Sequence, residues 1–129
     1  MGATIPYITV HDGAGALAFY AAAFGATVGE RHDEPDGRIG FAALDIDGAP
    51  VFVSDESPEH GAYAPRTLGG RSSAAVVVSV PDVDATWADA LRAGATPDQP
   101  PADLPDGTRG AWLVDPYGHR WLVRSAVTA

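Results

Sequence analysis

The stretch "DPYGHRWLV", residues 115–123, has the composition of a tight turn that leads into a buried strand. Its Asp, Pro and Gly are residue types that favour turns, and residues 121–123 are apolar. The same order of residue types is found 70 positions earlier, in "DIDGAPVFV" at 45–53. A match across about half the chain indicates an internal repeat.

Other segments match at the same spacing. "TVHD" at 9–12 falls on "SVPD" at 79–82, and "DG" at 36–37 falls on "DG" at 106–107. We interpret the chain as two homologous modules within one structural domain. The predicted boundaries are 1–60 for the first module, 61–71 for a linker rich in Gly and Pro, and 72–129 for the second module.

Each module shows the pattern of a strand, a helix and three further strands. The run "AAVVVSV" at 74–80 is typical of a buried strand, and Leu17, Tyr20 and Phe24 have the spacing of one helix face. The predicted class is α+β, with two tandem βαβββ modules forming a curved mixed sheet around a central crevice. Packing the modules edge to edge leaves the free faces of their sheets to line that crevice, which is then the expected ligand site.

Composition excludes several classes of function. The chain of 129 residues has no cysteine, and all eight of its basic residues are arginine, which removes thiolate and lysine chemistry. A formal charge of −9 argues against a nucleic-acid partner. No apolar run reaches membrane-spanning length and no signal-peptide pattern is found, so we expect a cytoplasmic protein without a membrane partner.

Four longer motifs resemble a known family. They are "PYITVHDGAGALAFYAAAFGA" at 6–26, "TLGG" at 67–70, "VPDVDATWADALRAGAT" at 80–96 and "DPYGHRW" at 115–121. Together they resemble the vicinal oxygen chelate superfamily of glyoxalases, bleomycin-resistance proteins and extradiol dioxygenases, and within it the PhnB-like branch. The resemblance implies the paired-module fold and a homodimer.

The family's metal enzymes carry His or Glu at four strand positions, which the resemblance places at Ile5, Phe52 (or the adjacent Val53), Ala75 and Leu122. Divalent ions in such sites need imidazole or carboxylate donors. Apolar side chains stand at all four positions. We therefore expect neither a metal nor another cofactor, and an apolar wall in place of the metal site.

Aromatic residues on the strands are the main candidates for ligand binding. If the "DPYG" turn is a three-residue loop, Trp112 lies opposite Leu122 on the crevice face, with Arg120 and Arg124, while Trp121 packs under the helix. The predicted ligand-binding residues are Tyr7, Phe41, Phe52, Glu56, Tyr63, Trp112, Arg120 and Leu122.

These features favour a metal-free protein that sequesters an aromatic small molecule, cationic or neutral, such as an antibiotic. The alternative is a metal-independent enzyme acting on a small metabolite or natural-product intermediate, for which Glu56, His60 and Arg120 are the candidate catalytic residues. A third interpretation is a metal-dependent enzyme of the glyoxalase or dioxygenase type.

Overall fold

A computed structural model describes residues 2–125 as two modules with the same order of elements. The first module contains β1 (Tyr7–Val10), α1 (Gly13–Phe24), β2 (Thr27–Asp33), β3 (Ile39–Ile46) and β4 (Ala49–Asp55). The second contains β5 (Ala75–Val80), α2 (Val83–Ala93), β6 (Thr96–Asp103), β7 (Arg109–Val114) and β8 (Arg120–Ser125). The predicted α+β class and the duplicated βαβββ order are confirmed.

The strands form two separate four-stranded mixed sheets. Their orders are β1-β4-β3-β2 and β5-β8-β7-β6. The first strand of each module pairs in parallel with the last strand, and the other pairs are antiparallel. The predicted curved mixed sheet is thus divided into two sheets, one for each module.

One hydrophobic core joins the modules. It combines one face of each sheet with residues of both helices. The ring of Trp121, on β8, lies 4.7 Å from the ring of Phe24 and 5.4 Å from that of Tyr20, both on α1. The modules therefore meet through their helices and a shared core, and the other face of each sheet points away from that core.

The ends of both helices follow from local chemistry. The side chains of Asp12 and Asp82 accept hydrogen bonds from backbone N–H groups in the first turns of α1 and α2. Gly25 and Gly94 end the helices in the left-handed conformation. The sequence predicts both glycine stops and leaves Asp82 and Asp84 as alternatives for the start of α2, of which the structure uses Asp82.

The β3–β4 hairpin and the β7–β8 hairpin differ in the length of their loops. In the second module, the N–H of Asp115 donates to the carbonyl of His119 across a three-residue loop, and Gly118 has φ = 91°. The predicted loop is confirmed there. In the first module, Ile46 pairs with Ala49 across a two-residue turn, with positive φ at Asp47 and the following glycine.

The connecting segment, residues 56–74, contains two short 3₁₀ turns, Pro58–His60 and Pro65–Leu68. It is held at both sides. The N–H of Ala64 donates to Glu56 Oε1 at 2.9 Å, and Pro65 is buried against the 115–119 loop. Within residues 2–125, no helix has the length and apolar character needed to cross a membrane.

Candidate functional site

Three aromatic side chains form a patch on the free face of the first sheet. Tyr7 on β1 pairs with Phe52 on β4, and Phe52 pairs with Ala43 on β3. Phe41 lies two residues before Ala43, so all three rings project from the same face. We call Tyr7, Phe41 and Phe52 the aromatic patch.

In the aromatic patch, Phe52 meets both Phe41 and Tyr7 edge to face, and the rings of Tyr7 and Phe41 are tilted to each other. The ring centroids of Phe41 and Phe52 are 4.8 Å apart, and the ring of Tyr7 lies 6.2 Å from Phe41 and 6.1 Å from Phe52. Tyr7 keeps 53% of its surface exposed. A large apolar surface is therefore fixed in position while it remains accessible to a ligand.

A polar pocket adjoins this patch at Tyr7. Its volume is about 320 Å³, and we call it the acidic pocket. The residues that line it are Tyr7, Glu34, Arg38, Ile39, Gly40, Ser54, Asp55, Glu56, Ser57, Glu59, His60 and Ala62. Four carboxylates and one arginine stand in this lining, so its charge is net negative.

Two of the four carboxylates accept hydrogen bonds that stabilise the fold. Asp55 accepts hydrogen bonds from the N–H groups of Gly13 and Ile39, each at 2.7 Å, which fixes the start of α1 and of β3. Hydrogen bonds from Thr67 and the N–H of Ala64 hold the pKa of Glu56 below its ordinary value. Glu56 is therefore an ionised anchor for the connecting segment.

The other groups of the acidic pocket face solvent. Arg38 donates to Asp36 at 2.8 Å and lies 3.5 Å from Glu59. The side-chain oxygen of Ser57 lies 2.8 Å from Nδ1 of His60. Glu34 and Glu59 keep carboxylate oxygens at the mouth of the pocket, where a cationic group of a ligand can meet them.

The free face of the second sheet carries a different set of side chains. Trp112 pairs with Leu122, as the sequence predicts, and the guanidinium carbon of Arg120 lies 4.4 Å from the Trp112 ring. Arg120 also reaches Asp98 at 3.4 Å. Trp121 points to the other side and is fully buried, so the predicted assignment of the two tryptophans to opposite faces is confirmed.

The structure distributes the predicted site residues over four places. Tyr7, Phe41 and Phe52 form the aromatic patch, while Glu56 and His60 join Tyr7 in the acidic pocket. The remaining predicted residues lie elsewhere. Trp112, Arg120 and Leu122 are on the second sheet, and Tyr63 is on the connecting segment.

The four positions that the resemblance assigns to a metal do not fit one. Ile5 precedes β1, and Phe52, Ala75 and Leu122 lie on the free faces of the two sheets. None of these side chains has a donor atom for a divalent ion. Among residues 2–125, no three His, Asp or Glu side chains are grouped as a metal site would require.

Sequence reasoning missed the roles of three polar residues. Glu34 and Arg38 line the acidic pocket, although the only sequence signal there is the "DG" turn at 36–37. The sequence predicts Asp115 only as a turn residue, yet it is 3% exposed and accepts four hydrogen bonds. Its donors include the Tyr20 hydroxyl at 2.5 Å and Trp121 Nε1 at 2.9 Å. Asp115 thereby ties α1 of the first module to the second module.

Comparison with known proteins gives a consistent family. The model of the glyoxalase/bleomycin resistance protein/dioxygenase superfamily matches residues 4–123. Uncharacterized proteins of Mycobacterium tuberculosis and Mycobacterium bovis are 38% identical over 125 residues, 95% of this chain. The match covers 73% of the M. tuberculosis protein and 82% of the M. bovis protein.

Solved structures share the whole architecture. TioX from Micromonospora sp. ML1 superposes with a TM-score of 0.74 at 29% identity, covering 99% of this chain and 98% of TioX. The fosfomycin resistance protein FosX from Listeria monocytogenes superposes with a TM-score of 0.71, covering 98% of this chain and 94% of FosX. At 14% identity, the similarity to FosX shows the fold alone.

Proposed function

Because this chain belongs to the glyoxalase/bleomycin resistance protein/dioxygenase superfamily, we propose that it captures an aromatic, cationic small molecule without a metal and without chemical change. One observation carries this proposal. The aromatic patch offers three fixed rings beside a pocket of about 320 Å³ whose lining is rich in carboxylates. The name of the family includes a resistance protein, and an antibiotic is one compound class with the required chemistry.

The two parts of the site favour different parts of such a ligand. A planar aromatic body can stack on or pack edge to face against Phe41 and Phe52, which removes apolar surface from water. A positive charge on the same molecule is attracted by the face of Tyr7 and by Glu34 and Glu59. Among the candidate acid–base residues, Glu56 is a weak base, because hydrogen bonds lower its pKa while it anchors the connecting segment.

We also propose that two copies form a homodimer that completes the site. The aromatic patch lies on an open sheet face, so a bound ligand keeps one side in water. Trp112, Arg120 and Leu122 lie on the free face of the second sheet, and the opposite face of that sheet packs against the same core. Within one chain these two faces point away from that core, whereas a second copy can bring its Trp112 face over the patch.

Light scattering coupled to size-exclusion chromatography tests the dimer. We expect a mass of twice the 13.3 kDa of the chain, and a monomer at all working concentrations would contradict it. Trp112→Asp is the informative variant, because a charge on the interface face should shift the equilibrium toward monomer. Asp89→Asn, on the exposed side of α2 and paired with Arg92, is the control and should leave the mass unchanged.

Binding without turnover is tested with a matched pair of probes. 9-Aminoacridine is an aromatic cation, and acridine-9-carboxylate has the same rings with the opposite charge. We expect only the cation to raise the melting temperature in a saturable manner, because a ligand of the native state stabilises it. Chromatography after incubation should recover the probe unchanged, in buffer with or without chelator.

The alternative of a metal-independent enzyme is favoured by one observation. Glu56, Ser57 and His60 line the same pocket as Tyr7, and Ser57 contacts His60 Nδ1 at 2.8 Å. Arg120, the third candidate, lies on the other sheet. Product formed from a metabolite or natural-product intermediate in the presence of EDTA, and lost in His60→Ala, would favour this enzyme over sequestration.

Membership of the PhnB-like branch is a narrower proposal. It is supported by Gly107 and Arg109 of "PDGTR" at 105–109, which match the Gly and Arg of that branch's pattern, whereas the aromatic residue and the Asp of the pattern are missing here. In this chain Arg109 donates to Asp84 at 2.7 Å and to Asp103 at 3.1 Å. Arg109 therefore links α2 to β6 and has a structural role in the second module.

A further inference from the structure

A second, larger pocket lies between the connecting segment and the start of β8. Its volume is about 550 Å³, and we call it the basic pocket. The residues that line it are Tyr63, Pro65, Leu68, Arg71, Ser72, Ser73 and His119. No Asp or Glu stands in this lining, although the chain has seventeen acidic residues and a net charge of −9.

The arginine of this pocket is not neutralised by the fold. Five arginines form ion pairs within residues 2–125, at positions 31, 38, 92, 109 and 120. Arg71 forms none with the carboxylates of that part of the chain. His119 is fixed beside it, because Nε2 donates to the carbonyl of Thr9 at 2.7 Å. The pocket therefore offers a guanidinium group with all its donors open to an anion.

Apart from Ser72 and Ser73, the rest of the lining is apolar, and two of its side chains are accessible. Tyr63 is 44% exposed and Leu68 is 62% exposed, and they are two of the few large apolar side chains at the surface. Between them lies Pro65, which is buried at the base of the segment. An occupant thus meets apolar surface and positive charge together, without a competing carboxylate.

The pocket is built on an anchored framework. The N–H of Gly70 donates to the carbonyl of Pro65 at 2.7 Å, and Glu56 holds the N–H of Ala64. Gly118 lies so close to Pro65 that an added Cβ would stand 2.7 Å from the proline Cβ. The walls are therefore positioned before a ligand arrives, which reduces the entropy lost on binding.

We propose that the basic pocket binds a small amphipathic carboxylate, with an aryl or acyl body against Tyr63 and Leu68 and its carboxylate paired with Arg71. This site is separate from the aromatic patch and the acidic pocket, and it selects the opposite charge. Its ligand differs in class from the cation proposed above, so either proposal can stand without the other.

The test compares 2-naphthoate with its neutral amide, 2-naphthamide, by calorimetric titration of the full chain. We expect the carboxylate to bind about tenfold tighter, since a charged hydrogen-bonded pair adds roughly that factor. Arg71→Gln should reduce the two affinities to the same value. Equal affinities in the wild-type protein, or no binding of either compound, would overturn the proposal.

Arg66→Gln is the matched control. Arg66 lies in the same segment but lines a different pocket, with His11 and Tyr117. It should keep the tenfold preference, and a loss of preference in both variants would show that general charge, not this pocket, is responsible. Leu68→Ala should weaken both compounds equally, because it removes only apolar contact, and a thermal melt verifies that each variant is folded.

A variant of the aromatic patch separates this site from the proposed function. Phe52→Ala should leave 2-naphthoate binding unchanged while it weakens 9-aminoacridine. If Phe52→Ala removes naphthoate binding and Arg71→Gln does not, the carboxylate binds at the patch and the basic pocket is not its site.

Discussion

The two modules share a fold but place opposite chemistry at one equivalent position. Ile46 ends β3 of the first module and Asp115 follows β7 of the second, and both are 3% exposed. Ile46 joins the apolar core, whereas Asp115 accepts hydrogen bonds from Tyr20, Trp121 and two backbone N–H groups. The first module is thus stabilised here by apolar burial alone, and the second by a buried carboxylate whose donors come from both modules.

The free faces of the two sheets differ in a related way. Phe52 and Leu122 occupy equivalent places, opposite Ala43 and Trp112 respectively. The face around Phe52 is aromatic and adjoins carboxylates, while the face around Leu122 carries an arginine stacked on tryptophan. The duplicated fold therefore supplies two similar surfaces that carry different side chains, one beside carboxylates and the other with an arginine.

The largest effect is expected from Asp115→Ala. It leaves the Tyr20 hydroxyl, the Trp121 indole N–H and two backbone N–H groups without an acceptor, which we expect to cost about 4 kcal/mol of unfolding free energy. Urea denaturation measures this. Asp45→Ala, at the position that the sequence repeat aligns with Asp115, is the control. Asp45 is exposed and should lose less than about 0.5 kcal/mol.

Equal effects of these two variants would show that Asp115 does not distinguish the modules. Asp115→Asn gives a second measurement if the alanine variant does not fold. It keeps one acceptor oxygen and should be intermediate in stability.

A smaller effect is expected from Tyr20→Phe. Loss of the hydroxyl should cost about 2 kcal/mol at neutral pH, since a hydrogen bond to a buried charge is lost. Burial and the neighbouring Asp115 hold the pKa of Tyr20 well above its ordinary value of 10.0. As the pH rises above this ordinary value, the unfolded tyrosine ionises and the folded one does not. The wild-type protein therefore loses stability, and its difference in unfolding free energy from Tyr20→Phe narrows.

Thermal melts from neutral to alkaline pH measure this narrowing. Tyr63→Phe, at a largely exposed tyrosine, should melt like the wild type throughout. A constant difference between Tyr20→Phe and the wild type up to high pH would contradict the assigned environment of Tyr20.

The smallest effect is expected from Glu56→Gln, which tests the anchor of the connecting segment. The folded state holds the pKa of Glu56 below its ordinary value of 4.5, so the ionised carboxylate stabilises the fold at neutral pH. That contribution is lost as the pH falls below this value and the carboxylate takes up a proton. The melting temperature of the variant should be slightly low at neutral pH and should converge with the wild type in acid.

Much of the fold follows from the sequence, and the reasons differ by feature. Apolar periodicity and capping residues predict the helices, and the "DPYG" turn fixes the register that pairs Trp112 with Leu122. The arrangement of the two modules cannot be predicted in this way. It depends on which helix faces pack together, and the nearly all-apolar α1 gives no preferred face from its sequence pattern.

The spacing of the repeat changes by one residue within the modules. Equivalent residues of the two modules are 70 positions apart on β4 and β8, as with Phe52 and Leu122. On β3 and β7 they are 69 positions apart, because Ala43 pairs with Phe52 while Trp112 pairs with Leu122. An alignment at 70 therefore matches Asp115 with the exposed Asp45. The burial of Asp115 depends on Tyr20, 95 residues away in the chain, and no local pattern reports such a contact.

The central claim is that the aromatic patch of the first sheet binds an aromatic cation, and exchange of the equivalent residues tests it most directly. Calorimetric titration with 9-aminoacridine should give one saturable site per chain in the wild-type protein. Phe52→Leu, which gives the first module the residue of the second, should weaken binding about tenfold through loss of ring contact. Leu122→Phe should leave the ring contacts of the patch intact and so bind at least as tightly as the wild type. Unchanged affinity in Phe52→Leu, or no binding by the wild-type protein, would contradict the account.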